Sequence, residues 1–192
     1  MDSNNIDKSV IVPVQPKTYR LEPQNEAIAV TQARYSDRFI GFCRVDPRQE
    51  EAITELRRCV LQIGLKGLLL HPIEEGYTIN EDYAVRLMKE AGSLGVPVIV
   101  AAGYPWVAHA LQIRSVAEQA EEATIIMSHV GATGSIGRLV VDEVFRQSHA
   151  VRAAWGRATA VATCNGAAHF VERAASLYVA GTVIGQRFVG AN

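Results

Sequence analysis

The chain is short of several things, and each shortage removes a class of function. It has almost no net charge: 19 Lys and Arg stand against 20 Asp and Glu, for a formal −1 at pH 7. That leaves no electrostatic footprint for a nucleic-acid binder. It lacks a long apolar run. The longest, Val96 to Ala102, falls far short of the ~20 residues that a membrane helix needs. Its first residues, Met1-Asp-Ser-Asn-Asn-Ile-Asp-Lys8, contain no apolar targeting core, so a cytoplasmic protein with no membrane partner is expected. Cysteine is scarce. Cys43, Cys59 and Cys164 are odd in number and without C-x-x-C spacing, which reads as buried thiols in a reducing compartment. No P-loop, HExxH or GxSxG is present, and Gly131-Ala-Thr-Gly-Ser-Ile-Gly137 only approaches a dinucleotide-type glycine turn.

What is present is an ordinary globular composition, 48% hydrophobic and 20% charged over 192 residues, enough for one full core. Continuously apolar runs recur at 9–14, 39–45, 67–71, 96–102 and 124–130, with weaker copies at 158–163 and 182–185. Their starts lie about 23 to 34 residues apart, the length of one strand–helix unit. Uninterrupted apolar strands are covered on both faces, as in a parallel sheet wrapped by helices.

The intervening segments carry helical periodicity. Residues 48–63 place Ala52, Ile53, Leu56, Cys59, Val60 and Ile63 on one side, with Gly64 as a stop. Asn80 can cap a helix through Ala84, Leu87, Met88 and Ala91. Helices are also expected at 23–35, after Pro23, and at 106–121, with Pro105 in the first turn and His109 inside. Alternation of this kind makes an α/β fold, either an open doubly wound parallel sheet or a (β/α)8 barrel. Eight units of ~28 residues need ~225 residues or more. The barrel reading is therefore of an incomplete barrel lacking its first strand–helix unit. One domain over 1–192 is expected, in which 132–192 differs: it has six Arg, no Lys, and only Asp142, Glu143 and Glu172 as acids.

In either architecture functional groups collect where strands end. The exits offer Gln15, Asp46, His71, Gly103 and Tyr104, then Ser128 and His129, and later Cys164, Asn165, Gln186 and Arg187. His71 and His129 stand out, because neutral imidazole suits a divalent metal or general-base work. Asp46 before Pro47 reads as a turn former, and Glu74-Glu75-Gly76 as a solvated loop. On an open sheet, Gly131 to Gly137 would cradle a phosphorylated small molecule instead.

The strand-exit residues fit a known pattern. Asp7 to Val14, Asp37 to Pro47, Gly64 to Pro72, Leu94 to Val100 and Ile126-Met-Ser-His-Val-Gly131 resemble, in order and spacing, the amidohydrolase-related family of TIM-barrel metal-dependent hydrolases and decarboxylases. Phe170 to Ala174 and Val183 to Gly185 add a faint match. The resemblance implies a small carboxylate or amide substrate and one divalent metal, zinc or manganese, at the barrel mouth. It implies that His129 ligates metal or acts as acid/base beside it, and that His71 lines the pocket as a second catalytic histidine. The chain also departs from the pattern. It starts after the first-strand HxH or ExH pair; the fifth-strand histidine falls at Ala101 or Ala102, and the late aspartate at Arg187. With His129 the one nameable ligand, weak metal binding is expected. A noncatalytic barrel remnant, exposing sheet edges that favour a homo-oligomer, is the alternative.

Overall fold

The computed structural model describes residues 1, 6–14 and 20–128. Its elements run β1 (Ser9–Ile11), α1 (Glu22–Arg34), β2 (Phe39–Gly41), β3 (Cys43–Arg44), α2 (Ala52–Arg57), β4 (Leu68–Leu70), α3 (Pro72–Glu75), α4 (Asp82–Ser93), β5 (Val98–Val100), α5 (Ala110–Gln119) and β6 (Ile125–Met127). A π-helical turn, Arg58–Gln62, continues α2.

All described strand pairs are parallel, and each strand pairs with its neighbour in the chain. Val10 lies opposite Ile40, Cys43 opposite Leu68, Leu69 opposite Ile99, and Ile99 opposite Ile126. β2 and β3 are two halves of one extended segment. The first half pairs with β1 and the second with β4, with Phe42 between them donating its N–H to Ile11 O at 3.0 Å. A doubly wound sheet reverses its strand order at a switch point; the described strands contain no such reversal. Their sequential order is that of the strands in a (β/α)8 barrel.

Alternation along the strands separates two cores. Outward-facing Cys43, Leu68, Leu70, Val98, Val100 and Met127 pack under the helices with Leu56, Leu87, Met88, Ile113 and Val116. Most of these side chains are completely buried, and each such aliphatic contributes roughly 1.5–3 kcal/mol of burial free energy. The opposite face carries Val10, Phe42, Leu69, Ile99 and Ile126, flanked by Val12 and Ile40, all from strand segments. No described helix covers that face.

Most elements form where periodicity places them, with instructive shifts. α1 begins beside Pro23, whose missing N–H costs nothing in the first turn. α2 starts at Ala52 rather than 48, because residues 46–51 are used in turns: Gln49 N–H donates to Asp46 O at 3.2 Å and Ala52 N–H to Gln49 O at 3.1 Å. Gly64 stops the segment in the left-handed region, at φ 76°. Asp82, not Asn80, opens α4. α5 starts at Ala110 and not 106, with His109 as its N-cap. His109 Nδ1 accepts from Leu111 N–H at 3.2 Å, while Gln112 Oε1 accepts from His109 N–H at 2.7 Å. Cys43 and Cys59 are buried free thiols. Among the described residues no helix is long and apolar enough to cross a membrane. The expected strands at 158–163 and 182–185, Cys164 and the glycine turn at 131–137 lie outside the described residues.

Candidate functional site

The register places the strand exits in rows. Leu69, Ile99 and Ile126 are buried lateral neighbours on the face opposite the described helices. Two residues further, on the same face by alternation, come His71, Ala101 and Ser128. Arg44, opposite Leu69, faces the same side from β3. His71 is therefore at the C-terminal rim, as expected. His129, one residue beyond Ser128, lies outside the described residues, as do Gln15, Asn165, Gln186, Arg187, His149 and His169. Ser128 Oγ accepts from Ala102 N–H at 3.1 Å, which ties the ends of β5 and β6 together. Of the two alanines, Ala101 shares the row of His71, whereas Ala102 packs in the helix-side core.

The centre of the rim is a charge cluster. Arg44 is 1% exposed. Its Nη2 lies 2.6 Å from Glu74 Oε2 and its Nε donates to Glu75 Oε1 at 2.5 Å; Nη1 reaches Pro13 O at 3.5 Å. His71 Nε2 lies 3.6 Å from Glu74 Oε1. Glu74 therefore presents one carboxylate oxygen to the guanidinium and the other to the imidazole. The expectation that 74–76 is a solvated loop is wrong for Glu75, which is 6% exposed. Pro72 opens a short helix, α3, that turns this carboxylate inward onto Arg44. Asp46 is the turn former expected: Oδ1 accepts from Arg48 N–H at 3.1 Å, and Oδ2 pairs with Arg48 Nη2 at 2.7 Å.

Burial dominates the electrostatics. It pushes the Glu75 carboxyl up to about 7 against the opposing pull of Arg44, with Asp46 and Glu74 adding to the rise. The Tyr77 hydroxyl is raised by burial and then by the negative Glu75 and Asp46. Glu75 Oε2 and Tyr77 Oη make no hydrogen bond among the described residues. Arg44 escaped the reading of strand exits, although its signal was plain: a guanidinium inside the otherwise apolar run 39–45 must find buried partners.

The arrangement can take up and deliver a proton at His71. Among the described residues no three His, Cys, Asp or Glu side chains converge as a metal site, and position 101, in the row of His71, carries only a methyl group.

Residues 5–181 match the family model described as "Amidohydrolase". A 2-amino-3-carboxymuconate-6-semialdehyde decarboxylase from Dictyostelium discoideum is 32% identical over 84 residues, covering 43% of this chain and 22% of that protein. An uncharacterized TIM-barrel protein from Bordetella bronchiseptica superposes with TM-score 0.61 at 17% identity, over 77% of this chain and 53% of that one. A 5-carboxyvanillate decarboxylase from Novosphingobium aromaticivorans, crystallised with manganese and 4-hydroxy-3-methoxy-5-nitrobenzoic acid, gives 0.57 at 16% identity, over 78% and 55%. The chain spans about half the length of these solved structures.

Proposed function

Because the chain belongs to the amidohydrolase family, we propose that it carries the mouth of a metal-dependent hydrolase or decarboxylase acting on a small carboxylate or amide. The proposed frame is one domain over 1–192, an incomplete (β/α)8 barrel without its first strand–helix unit. Sequential parallel strands and helices packed on one face support it. The observation that carries the function is His71, held at the rim with the Glu74 carboxylate 3.6 Å from Nε2. A carboxylate beside an imidazole orients the ring and stabilises the charge it gains on taking a proton. His71 is accordingly the proton donor and acceptor, and the row of His71, Ala101 and Ser128 is the floor on which the substrate's reacting carbon rests. His129 is the proposed metal ligand. Among the described residues no three metal donors converge, and His71 carries the proposed proton chemistry.

The test is turnover. Purified protein, alone and with added Zn²⁺ or Mn²⁺, is assayed for CO2 release from hydroxybenzoates and unsaturated carboxylates and for hydrolysis of small amides. His71→Asn is expected to lower turnover roughly 100-fold or more, and His129→Ala to abolish the response to metal. A His71→Asn variant as active as the parent would overturn this assignment. Ala101 favours a second reading, a remnant that binds ligands or a second copy of itself without catalysis. Absence of turnover across the panel with either metal, together with a concentration-dependent dimer, is the outcome that would establish it.

A further inference from the structure

We infer that Arg44 is a positioning residue for His71, acting through Glu74. The inference rests on the proposed role of His71 and extends it to a residue that no strand-exit argument includes.

Arg44 is itself held from three sides. Asn25, completely buried in α1, closes on its backbone: Arg44 N–H donates to Asn25 Oδ1 at 2.8 Å, and Asn25 Nδ2 donates to Arg44 O at 3.1 Å. The side chain then forks. Glu75 Oε1 sits in the fork, 2.5 Å from both Nε and Nη2, and Nη2 also meets Glu74 Oε2 at 2.6 Å. A guanidinium is planar, so seating its Nε/Nη2 edge on a buried carboxylate fixes the direction from which Nη2 meets Glu74. Glu75 anchors the fork, with its side chain 5% exposed, and Glu74 is the adjustable end, with its side chain 36% exposed. A half-exposed glutamate samples several rotamers unless something holds it. Arg44 removes that freedom at Oε2 and leaves Oε1 facing His71 Nε2. The imidazole is thus supported by a chain of contacts running from helix α1 through β3 and α3 to the end of β4. The other charged groups around the fork are Asp46 and Arg48, which pair with each other.

The geometry also says why lysine could not replace arginine. An ammonium is a point charge on a flexible stem and cannot fix two carboxylates in one plane. Arg44→Lys therefore keeps the charge and loses the positioning, which separates the two effects.

The experiment follows the His71 ring signals by NMR in the full chain, assigned with His71→Asn and titrated with pH. Glu74→Gln is expected to lower the midpoint of the His71 titration by roughly 0.5 unit or more, because it removes the facing negative charge. Arg44→Lys is expected to move it in the same direction, since Glu74 is no longer held. An unchanged midpoint in Arg44→Lys, with Glu74→Gln shifted, would show that Glu74 holds itself in place and would overturn the inference. So would an unchanged midpoint in Glu74→Gln. If Arg44→Lys does not fold, the guanidinium signals decide. Restricted rotation of Arg44 Nη2 in the parent, loosened in Glu74→Gln although Glu75 still holds the same nitrogen, is expected; free rotation in the parent, or rotation unchanged in Glu74→Gln, overturns the inference. None of these readouts needs a substrate. Loss of the catalytic reading, seen as full turnover by His71→Asn, is thus distinguishable from loss of the positioning role.

Discussion

Asn25 and Arg44 bond to each other as two strand residues would, although one lies in a helix and the other in a sheet. The Asn25 amide takes the Arg44 N–H at 2.8 Å and gives a proton to the Arg44 carbonyl at 3.1 Å. It also donates to Glu55 Oε1 at 2.9 Å. The pair docks α1 onto β3 at the point where the sheet turns into the rim. Burial alone would raise the Glu55 carboxyl, but hydrogen bonds from Arg58, Asn25 and Cys59 outweigh it and leave it below its ordinary value.

Asn25→Ala strands the Arg44 N–H and carbonyl in a buried place. A loss of about 2–3 kcal/mol is expected, since each orphaned buried group costs roughly 1–3 kcal/mol. Urea unfolding followed by circular dichroism measures it. A loss below about 0.5 kcal/mol would mean that water reaches these groups and replaces the amide.

Glu75 gives stability a pH dependence of defined sign. Its folded value of about 7 lies above its ordinary 4.5, so the folded chain binds more protons than the unfolded one between those values. Stability from this group is therefore greatest at the acid end of the window and falls as pH rises through about 7. Glu75→Gln should flatten the dependence of the urea midpoint between about pH 5 and 7. An identical slope in the variant would show that other groups set it.

How much of this was readable beforehand depends on the kind of signal. The apolar runs 39–45, 67–71, 96–102 and 124–130 contain β2 with β3, β4, β5 and β6, because an uninterrupted hydrophobic segment has few other places to go. Their ends were overestimated. Phe42 divides one run where its partner changes from β1 to β4, and Pro13, which has no N–H to give, follows β1 closely. The π-helical turn at Arg58–Gln62 left no trace, since Leu56, Cys59 and Val60 satisfy ordinary helical spacing as well. At the rim, the position of His71 directly after β4 is legible from the apolar run that ends there. Glu75 was misread because two adjacent glutamates look like a wet loop until Arg44 is known to lie beneath them.

Gly67 makes room for the inner row. A Cβ there would run into the edge of the Phe42 ring. Gly67→Ala should cost about 1–3 kcal/mol, the usual range for overpacking, read as a lower thermal midpoint. Gly67→Ala combined with Phe42→Leu should regain part of that loss. No recovery would place the strain elsewhere.

Ala101→His tests whether position 101 faces the proposed metal site. An imidazole at this position enters the row of His71 and Ser128 on the face opposite the described helices. Zinc affinity, measured by competition with a chromogenic chelator, is expected to rise about tenfold or more, as an added ligand moves a site toward the three or four that zinc requires. Unchanged affinity would mean that position 101 does not look toward the proposed site.

Finally, the pairing of β2 with β1, and of β4, β5 and β6 each with the strand just before it, has a consequence for biogenesis. Each new strand–helix unit finds its docking edge on the unit made just before it. During synthesis the sheet can lengthen in step with the emerging polypeptide, one edge always waiting for the next arrival. Until that arrival the growing margin is an open row of backbone donors and acceptors, and whatever pairs with it first extends the wall.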